Sequence, residues 1–345
     1  MRTLFTIALL ITLSPRLRAE ITADGLPEGA AVFLHFSNRS LAQTQLGEVI
    51  QQSFSSKEFE VPEAKAIEEK LGFNPLQDLQ EIVAGLYRDN NAVKNKTKAV
   101  ILLRGKFDFS KLATLSQKTS APCSVVESYS TWDMAEVVAG LNNEPPSKAD
   151  RGKIILVAYT DDCLFLASPE LIKPTLSCLQ KKTLSCSTPL AIAALNLAKV
   201  KPWLVFYTDF SKIKAKGFLG EMGEKGMQQT LITLNESGRN IQIRGEAEFT
   251  TPDQAEAATQ EFKKMIKITS LILMSQKFTF TQANASDNYL LDLLNCLTVS
   301  RVGYLTKISG NLPTIKAAQA IQTMARESRN EKASRTAATR PSPSE

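Results

Sequence analysis

Apolar and polar residues alternate along several stretches of this chain. In Ile241-Gln-Ile-Arg-Gly-Glu-Ala-Glu-Phe249, one set of alternate side chains is apolar and the other is mostly polar or charged. A period of two is typical of a strand in a sheet that is buried on one face and wet on the other. Stretches with an apolar stripe at helical spacing lie between such strands and would cover the buried face. The pattern therefore predicts an α+β fold, with a mainly antiparallel sheet and helices packed on one face.

The same order of strand and helix patterns occurs twice. Residues 99–109 contain an apolar strand, an Arg-Gly pair and a phenylalanine four positions after the glycine, and residues 240–249 repeat this order. A hairpin predicted over 154–167 and the helix after it match a hairpin predicted over 297–308 and the helix that follows. Matching positions stay about 140 residues apart, and such a constant offset is typical of an internal repeat.

The match extends upstream with a gap. Val32–Phe36 corresponds to Trp203–Tyr207 at an offset of about 171, so the first copy holds roughly thirty extra residues. A helix is predicted at Glu63–Leu71 within this insertion. We therefore expect two similar lobes, each with its own antiparallel sheet, related by a pseudo-twofold axis.

These observations divide the chain into five parts. Residues 1–19 are predicted to be a signal peptide, and residues 20–182 the first α+β repeat with its helical insertion. Residues 183–202 are predicted to be a partly helical linker, and residues 203–325 the second α+β repeat. Residues 326–345 are rich in Ser, Arg, Ala and Pro and lack an apolar period. They cannot bury enough area to offset their ordering entropy, so we expect a disordered tail.

The N-terminal segment has the anatomy of a secretory signal peptide. A basic start at Arg2 is followed by the apolar run Leu4–Leu13, a break at Ser14-Pro15 and a small residue, Ala19, before Glu20. The run is too short for a permanent membrane span. We expect cleavage, a periplasmic or extracellular location and no transmembrane anchor in the mature chain. The alternative is an uncut, membrane-tethered N-terminus.

Charge is concentrated at the two ends of the chain. The full chain carries a net charge of +6, of which Arg2, Arg16 and Arg18 in the signal segment supply three. The tail has a further excess of basic residues, so the body is nearly neutral and lacks the electrostatic footprint of a nucleic-acid-binding protein. After the signal, the most apolar stretch is Ile266–Met274, which we interpret as the buried end of a helix.

The cysteines leave the redox chemistry open. An exported protein meets oxidising conditions, and an odd number of cysteines leaves at least one thiol without a partner in the chain. Cys178 and Cys186 are the closest pair in sequence and are candidates for a disulfide. The alternative is that every cysteine is a small buried side chain. The five cysteines are Cys123, Cys163, Cys178, Cys186 and Cys296.

Two candidates for catalytic chemistry have simpler structural explanations. His35 is the only histidine and lies in an apolar strand without any ligand spacing around it, so we interpret it as a structural histidine. Ser211 and Lys214 fit the Ser-x-x-Lys pattern of penicillin-recognising enzymes, but the Ser-Asp-Asn and Lys-Thr-Gly elements are absent. A serine that caps the following helix explains Ser211 more simply.

The remaining motifs also have structural interpretations. Glycines recur every third residue over Gly217–Gly226 without a phosphate-loop or collagen pattern, and they indicate a loop or a helix end. The pair Asp161-Asp162 is expected to form a hairpin turn rather than a cation site. Trp203, Phe206 and Tyr207 are expected in the core. No catalytic residue, cofactor site or metal site is therefore predicted.

Three short landmarks are similar to those of a group of exported bacterial proteins of unknown function. The landmarks are Leu71–Leu79, Arg104–Asp108 and Leu166–Lys173. The resemblance spans most of residues 20–325 and implies a signal peptide and two α+β copies. It implies no activity, so it brings no functional residues with it.

These observations favour a non-enzymatic exported protein that binds an unknown envelope or extracellular partner through its sheets or through a groove between its lobes. The competing hypothesis is a hydrolase, built on Ser and Lys or on carboxylates, with a deep cleft between the lobes that is lined by Ser211, Lys214 and acidic residues. A third hypothesis is a structural part of a larger envelope assembly, with the tail as a tether. An exposed apolar or aromatic patch would favour binding.

Overall fold

The computed structural model describes most of the chain between residues 25 and 323. The described residues are 25–55, 68–69, 71–74, 77–88, 97–111, 124–142, 149–181, 202–212, 221, 223–279, 285–320 and 322–323. The predicted signal peptide, the predicted tail and nearly all of the predicted linker lie outside these residues. So does most of the predicted insertion helix, of which residues 68, 69 and 71 are described and helical.

Strands and helices occupy most of the described residues. The strands are β1 (Val32–Ser37), β2 (Leu79–Arg88), β3 (Thr97–Gly105), β4 (Ser124–Val126), β5 (Tyr129–Asp133), β6 (Ile155–Thr160), β7 (Cys163–Ala167), β8 (Leu204–Asp209), β9 (Met227–Ser237), β10 (Asn240–Phe249), β11 (Leu297–Val302) and β12 (Leu305–Pro313). The helices are α1 (Asn38–Ala42), α2 (Gln45–Ser55), α3 (Met134–Asn142), α4 (Ile172–Lys181), α5 (Pro252–Thr279) and α6 (Ala285–Cys296). Short 3-10 turns lie at Pro169–Leu171 and Phe210–Lys212, and a final helix covers residues 314–320.

The twelve described strands form a single antiparallel sheet. Their order is β11-β12-β10-β9-β8-β1-β2-β3-β7-β6-β5-β4. Each neighbouring pair is antiparallel, with β1 and β8 in the middle and β4 and β11 at the two edges. The predicted α+β fold with a mainly antiparallel sheet is confirmed.

The pairing of β1 with β8 joins the two halves of the chain. Leu34 lies opposite Phe206, and His35 lies opposite Val205. Outward from this pair, the first half has the order β1-β2-β3-β7-β6 and the second half has β8-β9-β10-β12-β11, so the two strand orders coincide. The halves share one continuous sheet rather than two separate ones. That they arose by duplication stays a prediction.

One face of the sheet, here called the front face, carries the largest single apolar cluster among the described residues. Its central side chains, including Phe33, Val205 and Tyr207, are fully buried. Helix α4 covers them with Ile172 and Leu176, which belong to the same apolar cluster. This cluster contains residues of both β1 and β8. Burial of apolar surface on the front face therefore stabilises the two halves together.

The opposite face, here called the back face, is covered by most of the helices. Helices α1 and α2 pack Leu41 and Leu46 against Phe36 and Ile82, and α6 contributes to the same cluster. Helix α3 packs near the β4 edge and α5 packs on β10. Helices on one face were predicted, and these helices follow that pattern. The exception is α4, which lies on the front face.

The outer strands of the second half leave the front face open to water. Arg244 on β10 is exposed, and Lys307 Nζ lies 3.3 Å from Glu246 Oε1. Thr298 and Ser309 share a hydrogen bond of 2.8 Å between their hydroxyl groups. These polar positions alternate with apolar back-face positions, as the pattern over 241–249 predicts.

A β-bulge in β2 makes Leu79 and Glu81 face opposite sides of the sheet. Leu79 is opposite Gly105, and the register then shifts before Glu81, which leaves Gln80 as the extra residue. Leu79 therefore joins the back-face core, whereas Glu81 faces the front. A Cβ atom on Gly105 would lie 2.3 Å from the carbonyl oxygen of Asp78, so only glycine permits this close approach.

Candidate binding surface

Helix α5 begins with a capping box. The N–H of Gln254 donates to Thr251 Oγ1 at 3.2 Å, and the N–H of Thr251 donates to Gln254 Oε1 at 3.1 Å. Pro252 occupies the first helical position, where no intrahelical hydrogen bond is needed from its nitrogen. The helix has 28 residues and is about 42 Å long, so its two halves can pack differently.

The N-terminal half of α5 packs on the back face in the ordinary way. Ala255 and Ala258 are buried against Phe249 of β10. The hydroxyl groups of Thr259 and Thr306 lie 3.0 Å apart between α5 and β12. The outward positions of this half are polar, so this half is a normal amphipathic surface helix.

The C-terminal half of α5 exposes large apolar side chains to solvent. Ile268, Leu271, Ile272 and Met274 are 54, 55, 50 and 37% exposed, and we call these four residues the α5 patch. They are four of the eleven exposed large apolar side chains among the described residues, and they lie within seven positions of the chain. Clustering of this kind marks an interaction surface more strongly than scattered exposed residues do.

The interpretation of residues 266–274 as a buried helix end is wrong. Within this stretch only Ser270 and Leu273 are buried. The stretch is apolar on almost every side, but the sheet and α6 contact only one side of the helix. The sequence pattern alone does not reveal how much of an apolar helix end is covered.

Three lysines lie beside the α5 patch. Lys263, Lys264 and Lys267 are exposed, and among the described residues no carboxylate forms an ion pair with them. Two acidic residues of α5 and α6 pair with lysines outside α5: Glu261 with Lys225, and Asp292 with Lys316. The patch is therefore apolar with a cationic border.

A groove lies next to the α5 patch, between α5, α6 and β11. Its volume is 460 Å³. Leu271 and Met274 belong to both the patch and the groove, whereas Ile268 and Ile272 belong to the patch alone.

Within the part of the chain that the structure covers, no helix is both long enough and apolar enough to cross a membrane.

His35 is held in a polar network on the front face. Its side chain is fully buried, and Nε2 lies 2.7 Å from Glu81 Oε1. Arg104 Nε lies 3.4 Å from Glu81 Oε2. The His35 Nδ1 atom is buried and has no hydrogen-bond partner among the described residues. The predicted structural role fits this site, although only one of the two ring nitrogens is satisfied.

Ser211 has a local role that differs from the predicted one. Its hydroxyl donates to Asp209 Oδ1 at 2.6 Å, and its N–H donates to the same oxygen at 3.1 Å. Asp209 therefore caps the turn after β8, and Ser211 is a donor to that cap. Lys212 pairs with Asp209 at 3.0 Å. Lys214 lies outside the described residues, so the hydrolase hypothesis stays a prediction.

The turn and core residues singled out in the sequence take structural positions. Asp162 Oδ1 accepts a hydrogen bond of 2.6 Å from Thr160 Oγ1 at the hairpin between β6 and β7. Gly226 has φ +91° at the turn before β9. Tyr207 is fully buried as expected, whereas Trp203 and Phe206 are only half-buried. Trp203 contacts Phe36 edge to face at 6.4 Å between ring centres. Gly217 and Gly220, the first two glycines of the run, lie outside the described residues.

Metal and disulfide chemistry find no support in the described part of the chain. No group of three or more His, Cys, Asp and Glu side chains there could hold a metal ion. Cys163, Cys178 and Cys296 are free thiols. Cys178 is therefore not in a disulfide, while Cys123 and Cys186 lie outside the described residues.

Cys163 is expected to resist alkylation in the folded protein. Burial raises the pKa of its thiol to about 11, and the nearby Arg104 guanidinium offsets this only in part. Since the thiolate is the reactive species, iodoacetamide at pH 8 should modify Cys163 at least tenfold more slowly than Cys178, about tenfold per pKa unit. Peptide mass spectrometry after timed quenching measures both rates. Similar rates in the folded protein, rather than only in urea, would contradict the buried position of Cys163.

Comparisons with known proteins give a similarity of shape alone. No protein-family model and no curated protein matches the chain. Among solved structures, the chain is similar to crystal forms I, III and IV of TP0453, with identities of 9, 9 and 8% and TM-scores of 0.41, 0.44 and 0.43. Each match covers 88% of this chain and 97 or 98% of the other. Similarity at this level carries no inference about function.

Proposed function

We propose that this chain is an exported, envelope-associated binding protein that attaches to anionic lipid surfaces through the α5 patch. The observation that carries the proposal is the cluster of four exposed apolar side chains beside Lys263, Lys264 and Lys267. A helix with this arrangement lies in the plane of a membrane interface. Its apolar side chains enter the acyl region, while the ammonium groups stay among the headgroups.

The expected energies suit reversible attachment. Each half-exposed apolar side chain of the patch has about 1 kcal/mol of transfer free energy left to gain. Each lysine near an anionic surface adds about 1 kcal/mol. Several such contributions together give a peripheral interaction that salt weakens, because the lysine contribution is screened. The patch is too small for irreversible insertion.

The sequence supports the export part of the proposal. The N-terminal segment has the features of a signal peptide, and three landmarks resemble those of exported bacterial proteins. A periplasmic location would place the α5 patch within reach of a membrane surface. The cluster of exposed apolar residues also favours binding over the hydrolase hypothesis.

Replacing Ile268 and Ile272 with glutamine should weaken binding to anionic vesicles by roughly thirtyfold, since about 2 kcal/mol of apolar transfer is lost. Glutamine keeps the net charge and is a good helix former. The measurement is cosedimentation of the full chain with vesicles that contain phosphatidylglycerol and phosphatidylcholine.

Lys264→Gln should weaken binding to these vesicles about fivefold and leave binding to pure phosphatidylcholine unchanged.

The matched control is a double variant at Val302 and Ile315, which are 59 and 63% exposed but lie outside α5. Substitution of both by glutamine should leave vesicle binding unchanged. If the control loses as much binding as the Ile268 and Ile272 variant, general surface hydrophobicity is responsible and the proposal fails. Wild-type protein that stays in the supernatant with anionic vesicles at low salt would also refute it.

A further inference from the structure

The groove between α5, α6 and β11 has the chemistry of a ligand site. We propose that it binds a single-chain amphiphile with an anionic head, such as a fatty-acid carboxylate. This inference is separate from the proposed attachment to membranes, because it concerns one ligand molecule in the groove rather than a bilayer against the patch. The groove is lined by both charged and apolar side chains that are arranged in order along α5.

The order of side chains along α5 matches the polarity of such a ligand. Lys263, Lys267, Ser270 and Met274 follow one another at spacings of three and four residues, so they lie on one side of the helix. This row is about 16 Å long. Its first half presents two ammonium groups, and its last turn presents an apolar thioether. An anionic head therefore fits at Lys267 and the acyl chain points towards Met274.

A buried hydroxyl marks the position of the head. Ser270 is 6% exposed and lines the groove, and its Oγ has no hydrogen-bond partner among the described residues. A serine in a helix commonly bonds to a carbonyl one turn earlier, but this one does not. An unsatisfied buried hydroxyl is unfavourable. A carboxylate held between Lys267 and Ser270 would accept hydrogen bonds from both.

The remaining walls of the groove suit an acyl chain. Leu294 comes from α6, and Leu297 and Val299 come from the back face of β11. Together with Ile266 they give a mainly apolar lining. The volume of 460 Å³ lies within the range of about 300–1,000 Å³ that is usual for small-ligand sites.

Binding of dodecanoate to the full chain tests the proposal. Isothermal titration calorimetry below the critical micelle concentration should show saturable binding of one molecule per chain. Dodecyltrimethylammonium has the same chain length with a cationic head, and it should bind at least tenfold more weakly. Lys267→Gln and Ser270→Ala should each weaken dodecanoate binding about tenfold, the lower end of the range for one charge-assisted hydrogen bond.

Two further variants separate the groove from the fold and from the patch. Val299→Trp should fill the groove and abolish saturable binding, whereas Val302→Trp on the same strand should retain it. The Ser270→Ala chain without ligand should melt at the same temperature or higher, since the unsatisfied hydroxyl is gone. The Ile268 and Ile272 double variant should bind dodecanoate normally even though it loses vesicle binding. This variant therefore shows whether failure belongs to the groove or to membrane attachment.

Three results would overturn the proposal. The first is non-saturable uptake of dodecanoate by the wild-type chain. The second is equal affinity for the anionic and cationic amphiphiles. The third is undiminished binding to the folded Val299→Trp chain.

Discussion

Replacing Phe33 with alanine is expected to lower the free energy of unfolding by about 3–5 kcal/mol. The Phe33 ring is fully buried on the front face, in the strand that joins the two halves. Its cross-strand neighbours are Gly85 on β2 and Tyr207 on β8. Gly85 has no side chain that could move into the space, so a cavity remains and adds to the lost transfer free energy.

Urea unfolding followed by tryptophan fluorescence measures this effect in both halves. Trp132 lies in β5 and Trp203 directly precedes β8. Single-tryptophan variants report each half separately, and both transitions should shift because the front-face cluster contains residues of both halves. The control is Phe206→Ala, which removes a half-buried ring from β8 and should cost about 1–2 kcal/mol. Equal losses for the two substitutions would argue against a central role for Phe33.

Replacing Glu81 with alanine should destabilise the fold by about 2–4 kcal/mol. The Glu81 carboxylate is the partner of His35 Nε2 at 2.7 Å and also lies 3.4 Å from Arg104 Nε. Without it, both nitrogens of a fully buried imidazole lack a hydrogen bond, because Nδ1 has no partner among the described residues. The unmet hydrogen-bonding capacity of this ring should dominate the loss.

Glu81→Gln separates hydrogen bonding from charge. The amide keeps an oxygen and an N–H within reach of His35, so chemical unfolding should show less than half the loss of the alanine variant. Asp150→Ala removes the exposed ion pair with Lys153 and should change stability by less than about 1 kcal/mol. If Glu81→Ala were as mild as Asp150→Ala, the buried network would not contribute as described.

Local pattern was sufficient to predict much of the fold. The alternation over 241–249 predicts which side of β10 is wet, and the exposed Arg244 and buried Ala247 agree with it. The hairpin of β6 and β7 follows from the Asp161-Asp162 turn. These features depend on neighbours in sequence, and a period of two or a turn dipeptide records them directly.

Long-range features could not be predicted in the same way. The Arg104 and Arg244 motifs do lie in corresponding strands, β3 and β10. Across the paired strands, Arg104 lies in line with Ser37, the last residue of β1. Arg244 lies in line with Val205, the second residue of β8. A match between two sequence motifs predicts that they lie in corresponding strands, but it does not predict their register relative to the neighbouring strands. That register depends on strand lengths and bulges.

The candidate site was missed because its signal resembles that of a core helix. Residues 266–274 are apolar on nearly all sides, and hydrophobicity alone does not distinguish a covered helix end from an uncovered one. The groove was missed because α5, α6 and β11 meet only through tertiary packing. The His35 and Glu81 pair was missed for a similar reason, as the two residues lie 46 positions apart in sequence.

The pairing of β1 with β8 has a consequence for any shorter form of the protein. A fragment that contains only one half would present β1 or β8 as an open edge, with unpaired amide and carbonyl groups and Phe33 or Tyr207 in contact with water. Such an edge is a template for pairing with another polypeptide, so association of the fragment is expected to increase with protein concentration. In the intact chain β1 and β8 belong to one molecule, so their pairing does not depend on protein concentration.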